Sequence, residues 1–190
     1  QEGLGPMDMT TYRGRRWSAA MAYLRPARAR RNLRVEPRCL VTRVLFEGRR
    51  AVGVEYLHNG QIVRMRARRE VIVSGGAINS PQILMLSGIG GADALEKLGI
   101  APIADVPGVG ANLQDHIETY VQHACTQPIT LHSTQNLLAK GAIGVEWLLF
   151  QTGLGATNHF ESGGFIRSRA GVQHPDLQYH FLPIAITYDG

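Results

Sequence analysis

The run from Glu70 to Gly90 constrains this chain more than any other, because a strand, a tight turn and a helix can be read in it in succession. Glu70-Val71-Ile72-Val73-Ser74 is short, mostly apolar and β-branched, the pattern of a strand buried on both faces of a parallel sheet. Gly75 and Gly76 follow, and glycine permits a tight turn and close approach of another molecule to the backbone. Ser80 followed by Pro81 predicts an N-cap and a first helical position, and Gly88 and Gly90 predict the stop. A helix start facing the turn offers free amides and the positive end of the helix dipole, which suits a phosphate or an electron-rich ring edge. Many doubly wound proteins pack a helix on a strand in this way with no ligand at the turn, so the run by itself speaks to fold before function.

The rest of the chain divides by periodicity. An extended entry covers residues 1–12, and a helix starts near Ser18 and stops near Arg31. A strand meander is predicted over 33–35, 40–46, 51–56 and 61–65, with turns at Glu47-Gly48 and at Asn59-Gly60, a strong hairpin signal. Residues 93–99 read as a short capped helix, and 102–110 as a loop leaving the sheet. Beyond a boundary placed at 105–118, strands are predicted at 120–124, 164–166 and 177–181, with a helix near 137–150.

Composition excludes several classes. The 44% hydrophobic and 18% charged residues are those of a globular piece. No apolar run approaches the roughly 20 residues of a membrane-spanning helix. Cys39 and Cys125 lie far apart without C-x-x-C spacing, which argues against a disulfide framework or a zinc site and predicts buried free thiols. The net charge of +5 concentrates early, at Arg13, Arg15 and Arg16 and again at Arg25, Arg28, Arg30 and Arg31, and would attract an anionic partner. No aromatic residues are interleaved there to stack on bases, so a solvated helix face is the better reading than a nucleic-acid site. Gln1 in place of an initiating Met predicts that the true N-terminus lies elsewhere, and no targeting peptide is visible.

The run from Gly75 to Gly90 resembles the second signature pattern of the glucose–methanol–choline oxidoreductases, a family of FAD-dependent alcohol oxidases and dehydrogenases. The likeness continues in Arg50-Ala51-Val52-Gly53-Val54-Glu55-Tyr56, in Pro107-Gly108-Val109-Gly110-Ala111-Asn112-Leu113-Gln114-Asp115-His116, and in Asn158-His159-Phe160-Glu161-Ser162-Gly163-Gly164-Phe165-Ile166-Arg167-Ser168. With residues 1–8 and 178–183 it covers essentially the whole chain. The resemblance implies an α/β fold with an α+β second domain: part of a Rossmann-like FAD-binding domain over 1–112, then part of a substrate-binding sheet domain over 113–190. Family members are much longer. Their first fingerprint, G-x-G-x-x-G, is absent here, since Gly108-Val109-Gly110 lacks the third glycine. The C-terminal histidine and its partner that handle the substrate proton also lie outside these residues. The chain is therefore expected to be an internal fragment, inactive, poorly soluble and unable to hold flavin tightly by itself.

The resemblance also implies roles for particular residues. Val41 corresponds to a valine whose backbone contacts adenine, and Ser74, Gly75 and Gly76 to the strand end that meets FAD. Glu118 in Asp115-His116-Ile117-Glu118 matches a carboxylate that choline-oxidising members place against the trimethylammonium group, and His180 matches a substrate-binding histidine. A quaternary ammonium cannot donate a hydrogen bond, so it is recognised by charge, dispersion and aromatic faces; Tyr120, Trp147 and Tyr179 are candidate rings. On residue type alone, Val41 is a core valine, Glu118 a surface glutamate, and His180, His116 and His159 satisfied core histidines. Asp115 and Glu161 read as structural.

The activity so implied is oxidation of choline, or of a related small alcohol, to the aldehyde by hydride transfer to flavin, with a respiratory quinone or oxygen as electron acceptor. Peripheral membrane association follows by resemblance, at the mitochondrial inner membrane in a eukaryote, or membrane-associated or cytoplasmic in a bacterium. Two alternatives stand beside this reading: another alcohol oxidoreductase of the same family, and a non-enzymatic module that binds a partner through its basic helix.

Overall fold

A computed structural model describes residues 2–160 and 162–185; Glu161 lies outside the described residues. In chain order come strands β1 (Gly3–Pro6), β2 (Thr11–Tyr12) and β3 (Arg15–Arg16), then a π-helical turn, Ala20–Leu24, running into α1 (Arg25–Ala27). A meander follows: β4 (Cys39–Glu47), β5 (Arg50–His58) and β6 (Gln61–Arg66). Next are α2 (Gly76–Leu86), β7 (Ile89–Gly90), α3 (Ala92–Lys97) and β8 (Ala104–Asp105). A 3-10 turn at Leu131–Thr134, α4 (Leu137–Phe150), a 3-10 turn at Leu154–Ala156, β9 (Ser162–Ile166) and β10 (Leu177–Phe181) complete it. This is the mixed helix-and-sheet content of the expected fold class.

These elements form two compact units. One is Arg34–Glu118; the other joins the residues up to Leu33 to those from Thr119 onward. Residues from the two ends of the chain meet in the second unit because β1 pairs antiparallel with β9, Gly3 opposite Phe165 and Pro6 opposite Ser162.

In the Arg34–Glu118 unit, β4, β5 and β6 form an antiparallel sheet in sequence order. The β5–β6 turn is the Asn59-Gly60 pair, with φ of 50° and 78°, the two left-handed positions a type I′ hairpin needs. The register alternates two faces: Val44, Val54 and Met65 line up across the sheet, and Arg43, Glu55 and Arg64 line up beside them. Val44 is buried, and its amide donates to the hydroxyl of buried Ser87 at 2.8 Å. Ser87 in turn donates to the Ile83 carbonyl at 2.5 Å, so one hydroxyl joins β4 to the end of α2. Leu95 of α3 is fully buried. Beside it β7 and β8 make a parallel pair, Ile89 opposite Ala104.

Three expectations are corrected in and beside this unit. α2 starts at Gly76, with Gly75 as N-cap and Pro81 inside the helix. The Ser80 hydroxyl accepts from the Gly75 amide at 2.8 Å, so Ser80 braces the turn from within the first helical turns instead of capping at its own position. The predicted strand at 70–74 is not assigned, because no described strand forms a ladder with it, and Ile72 is 77% exposed. Residues 33–35 likewise carry no strand. The predicted stop is present: Gly88 has φ 86° and its amide donates to the Met85 carbonyl at 3.0 Å.

In the other unit, β9 lies between β1 and β10, and Gly163 and Gly164 are buried between the neighbouring strands. A Cβ on Gly163 would collide with Met7 Sδ and the Tyr179 carbonyl, so this strand needs glycine to keep its neighbours close. α4 begins as read from sequence, with Asn136 Oδ1 accepting from the Ala139 amide at 2.8 Å. It is docked by Trp147, whose Nε1 donates to the Gly14 carbonyl at 2.7 Å. The early helix is shorter than predicted, ending at Ala27, and 120–124 forms no strand.

Candidate cofactor and substrate sites

The cofactor candidates all belong to the Arg34–Glu118 unit. Ser74, Gly75 and Gly76 are together at the one turn, exposed, where the chain enters α2. Gly76 has φ 84°, and a Cβ built there would meet nothing within 4 Å. The turn is therefore open above Gly76 and closed below by Ser80. The Gly75 amide is taken by Ser80, leaving the first-turn amides that have no partner within a helix. Val41 is half-buried on β4, opposite Tyr56, next to a register shift between Val41 and Arg43. β4 packs on α2 through Val44 and Ser87, so Val41 and the glycine turn stand on two elements locked to each other.

The substrate candidates fall in different units. Glu118 lies in an exposed, irregular segment at the end of Arg34–Glu118. Just before it, the His116 amide donates to Asp115 Oδ1 at 2.8 Å, a contact between adjacent residues. His180 lies on β10, opposite Gly163 of β9. Its imidazole meets the Phe160 ring edge to face, with centroids 5.8 Å apart and planes at 85°. It is exposed, as is His116, while His159 is half-buried, so the core-histidine reading holds for neither His180 nor His116. Among the candidate rings, Trp147 is already engaged: the Arg15 guanidinium stands over it at 5.8 Å. Tyr120 and Tyr179 are each about half exposed.

The strongest electrostatic feature is one that the sequence reading did not single out. Glu55, buried on β5, accepts a bidentate pair from Arg43 at 3.0 and 3.1 Å and a third bond from Arg64 Nε at 2.8 Å. These guanidinium hydrogen bonds hold its carboxyl down to a pKa of about 2. The cluster spans all three strands and clamps the meander that carries Val41. The signal was available in the i, i+2 alternation of charged residues on facing strands once register is known. In the other unit, Ser168 donates twice to Asp176 and holds its carboxyl below the usual range. Glu2, lowered chiefly by the Arg167 amide, pins the chain entry to the end of β9. Both thiols are free; Cys39 is half-buried, with Sγ 3.3 Å from His58 Nδ1, but Cys125 is exposed, contrary to expectation.

A sequence profile described as GMC oxidoreductase matches residues 1–118, which includes the meander, the glycine turn and Glu118. The chain belongs to the GMC oxidoreductase family. This GMC chain is 64% identical over its 190 residues to the human protein named mitochondrial choline dehydrogenase, matching all of this chain and 32% of that protein. It is 60% identical over the same span to the oxygen-dependent choline dehydrogenase of Brucella ovis, covering 34% of it. A solved structure of an FAD-dependent oxidoreductase from Chaetomium thermophilum superposes with a TM-score of 0.74 at 27% identity, over 86% of this chain and 30% of that one. The chain thus spans about a third of the length of the curated relatives it matches.

Proposed function

We propose that this chain is part of an FAD-dependent enzyme that oxidises choline to betaine aldehyde, the step that opens glycine betaine synthesis. The observation that carries the reading is similarity, at 60% and 64% identity over all 190 residues, to proteins named choline dehydrogenase. FAD, when bound, would accept the hydride from the alcohol carbon. The turn fits part of such a group: it is open above Gly76, it presents first-turn amides, and its helix dipole favours negative charge or an electron-rich edge. Val41, Ser74, Gly75 and Gly76 are the residues proposed to hold it, through backbone groups.

Glu118 is proposed to face the trimethylammonium group. Its carboxylate supplies the charge attraction that a cation without N–H donors can still use. His180 is proposed to help bind and orient the substrate. The cofactor-binding portion is proposed to be 1–112 and the substrate-binding portion 113–190, with β1 carried on the sheet of the latter. A respiratory quinone is the proposed electron acceptor. Oxygen uptake without added quinone would overturn that choice, which the name of the Brucella ovis relative makes a direct comparison. In a eukaryotic host the proposed location is the mitochondrial inner membrane, by peripheral association. Among the described residues no helix is long and apolar enough to cross a membrane.

The test is Glu118→Gln in the complete enzyme. Removing the charge is expected to raise the choline KM about ten-fold or more, with flavin content unchanged. It should leave KM for an uncharged analogue such as 3,3-dimethylbutan-1-ol almost unaltered. Unchanged choline kinetics remove Glu118 from the site, and a preference for uncharged alcohols in the wild type favours a different alcohol substrate within the family.

A further inference from the structure

We propose that Phe160 is a positioning residue for His180, holding the imidazole in the single orientation used at the substrate end; this rests on the role proposed above for His180. The two rings meet edge to face, 5.8 Å between centroids and 85° between planes, the geometry that aromatic pairs favour over a stacked sandwich. His180 stands on an exposed strand, β10, where an unsupported imidazole would rotate freely about its terminal torsion.

Phe160 is itself preceded by two side-chain-to-backbone hydrogen bonds. Thr157 Oγ1 accepts from the His159 amide at 2.9 Å, and Asn158 Oδ1 accepts from the Phe160 amide at 3.1 Å. Between them His159 adopts the left-handed backbone, with φ 63°, a region that histidine enters more readily than most non-glycine residues. The Thr157 hydroxyl lies also 3.3 Å from His159 Nδ1, so backbone and ring of His159 are both tied to Thr157. Two successive side-chain caps and one left-handed residue therefore set the direction in which Phe160 leaves the chain. β9 begins only two residues later, at Ser162, and carries β10 beside it, with Phe181 opposite Ser162 and His180 opposite Gly163. His180 thus stands on the sheet itself, and Phe160 lies close to it in sequence and in space.

A phenyl ring has no hydrogen-bonding group, so Phe160 acts on His180 by contact alone. Its effect should appear as substrate binding and orientation and not as proton transfer. In the complete enzyme, Phe160→Leu is expected to raise the choline KM about two- to ten-fold, with kcat changed less than about two-fold. Phe160→Tyr, which restores the ring, should recover most of the loss. In a His180→Gln background, Phe160→Leu should add little, because its effect runs through the imidazole. Equal losses in both backgrounds, or an unchanged KM, would overturn the proposal. If Phe160→Leu does not accumulate, the Phe160→Tyr and Phe160→Met pair carries the same comparison. Histidine-labelled NMR supplies a readout without substrate: Phe160→Leu should move the His180 ring-proton shifts, and their failure to move counts against the contact. A wild-type enzyme that ignores choline while those shifts move would instead defeat the functional reading and leave the ring contact standing.

Discussion

The amide of Val44 donates to the hydroxyl of Ser87 at 2.8 Å across 43 residues of sequence, and this single bond locks the antiparallel meander to the C-terminal end of the helix that follows the glycine turn. Both residues are buried, at 5% exposure each. A β4 amide spent on a side chain is a backbone donor that water cannot rescue.

Ser87→Ala is therefore expected to destabilise the protein by about 1–3 kcal/mol, since it leaves the Val44 amide buried and unpaired. Urea unfolding of the two proteins measures this. A loss near zero would mean that the helix end is not held by this bond.

Glu55 gives a pH signature with a defined sign. Its folded pKa, lowered first by the Arg43 and then by the Arg64 hydrogen bonds, is about 2 against an ordinary value of 4.5. The depressed value means that the carboxylate contributes stability fully above 4.5 and loses it progressively as pH falls toward 2. Glu55→Gln should be less stable than the wild type at neutral pH, and the gap should close between those two values. Parallel stability curves across that window would sink the assignment.

Trp147 joins α4 to the β2–β3 hairpin, through its indole N–H to Gly14 and through the Arg15 guanidinium over its ring. Trp147→Phe keeps a ring for the cation and loses the bond to the Gly14 carbonyl, at an expected cost of about 0.5–1.5 kcal/mol. Trp147→Leu should cost more. Thermal unfolding of both variants separates the contributions, and an equal loss would assign everything to the hydrogen bond.

Gly76 is tested through flavin. A β-branched side chain at φ 84° is strained, and it would fill the space that stands open above the turn. In the complete enzyme, Gly76→Val should weaken flavin retention about five-fold or more, read from the flavin-to-protein absorbance ratio. A fully flavinated Val variant would move the cofactor away from this turn.

Local signals carried much of this fold. Asn59-Gly60 forms the hairpin it predicts, Gly88 ends α2, and α4 runs over the predicted 137–150 because Asn136 caps it. What failed was non-local. Residues 70–74 have a strand's pattern without a partner among the described strands, and pattern alone supplies no ladder. β1 finds its hydrogen bonds on β9, a pairing that no local pattern announces. The Ser80-Pro81 pair predicts a cap at Ser80, but the hydroxyl reaches back five residues to the Gly75 amide. At the site, Gly75 and Gly76 were legible as residue types, whereas Glu55 between two arginines and Phe160 against His180 depend on register and on a turn, which no single-residue pattern encodes.

The pairing of β1 with β9 also sets an order of events during synthesis. The β4–β5–β6 hairpins close over a few residues each, so they can form while the chain is still being made. β1 emerges well before β9 and must wait until Phe165 has followed it out before Gly3 has a partner. β1 thus finds its place only after its late partner has been made, and until then its strand edge stays open to wrong partners.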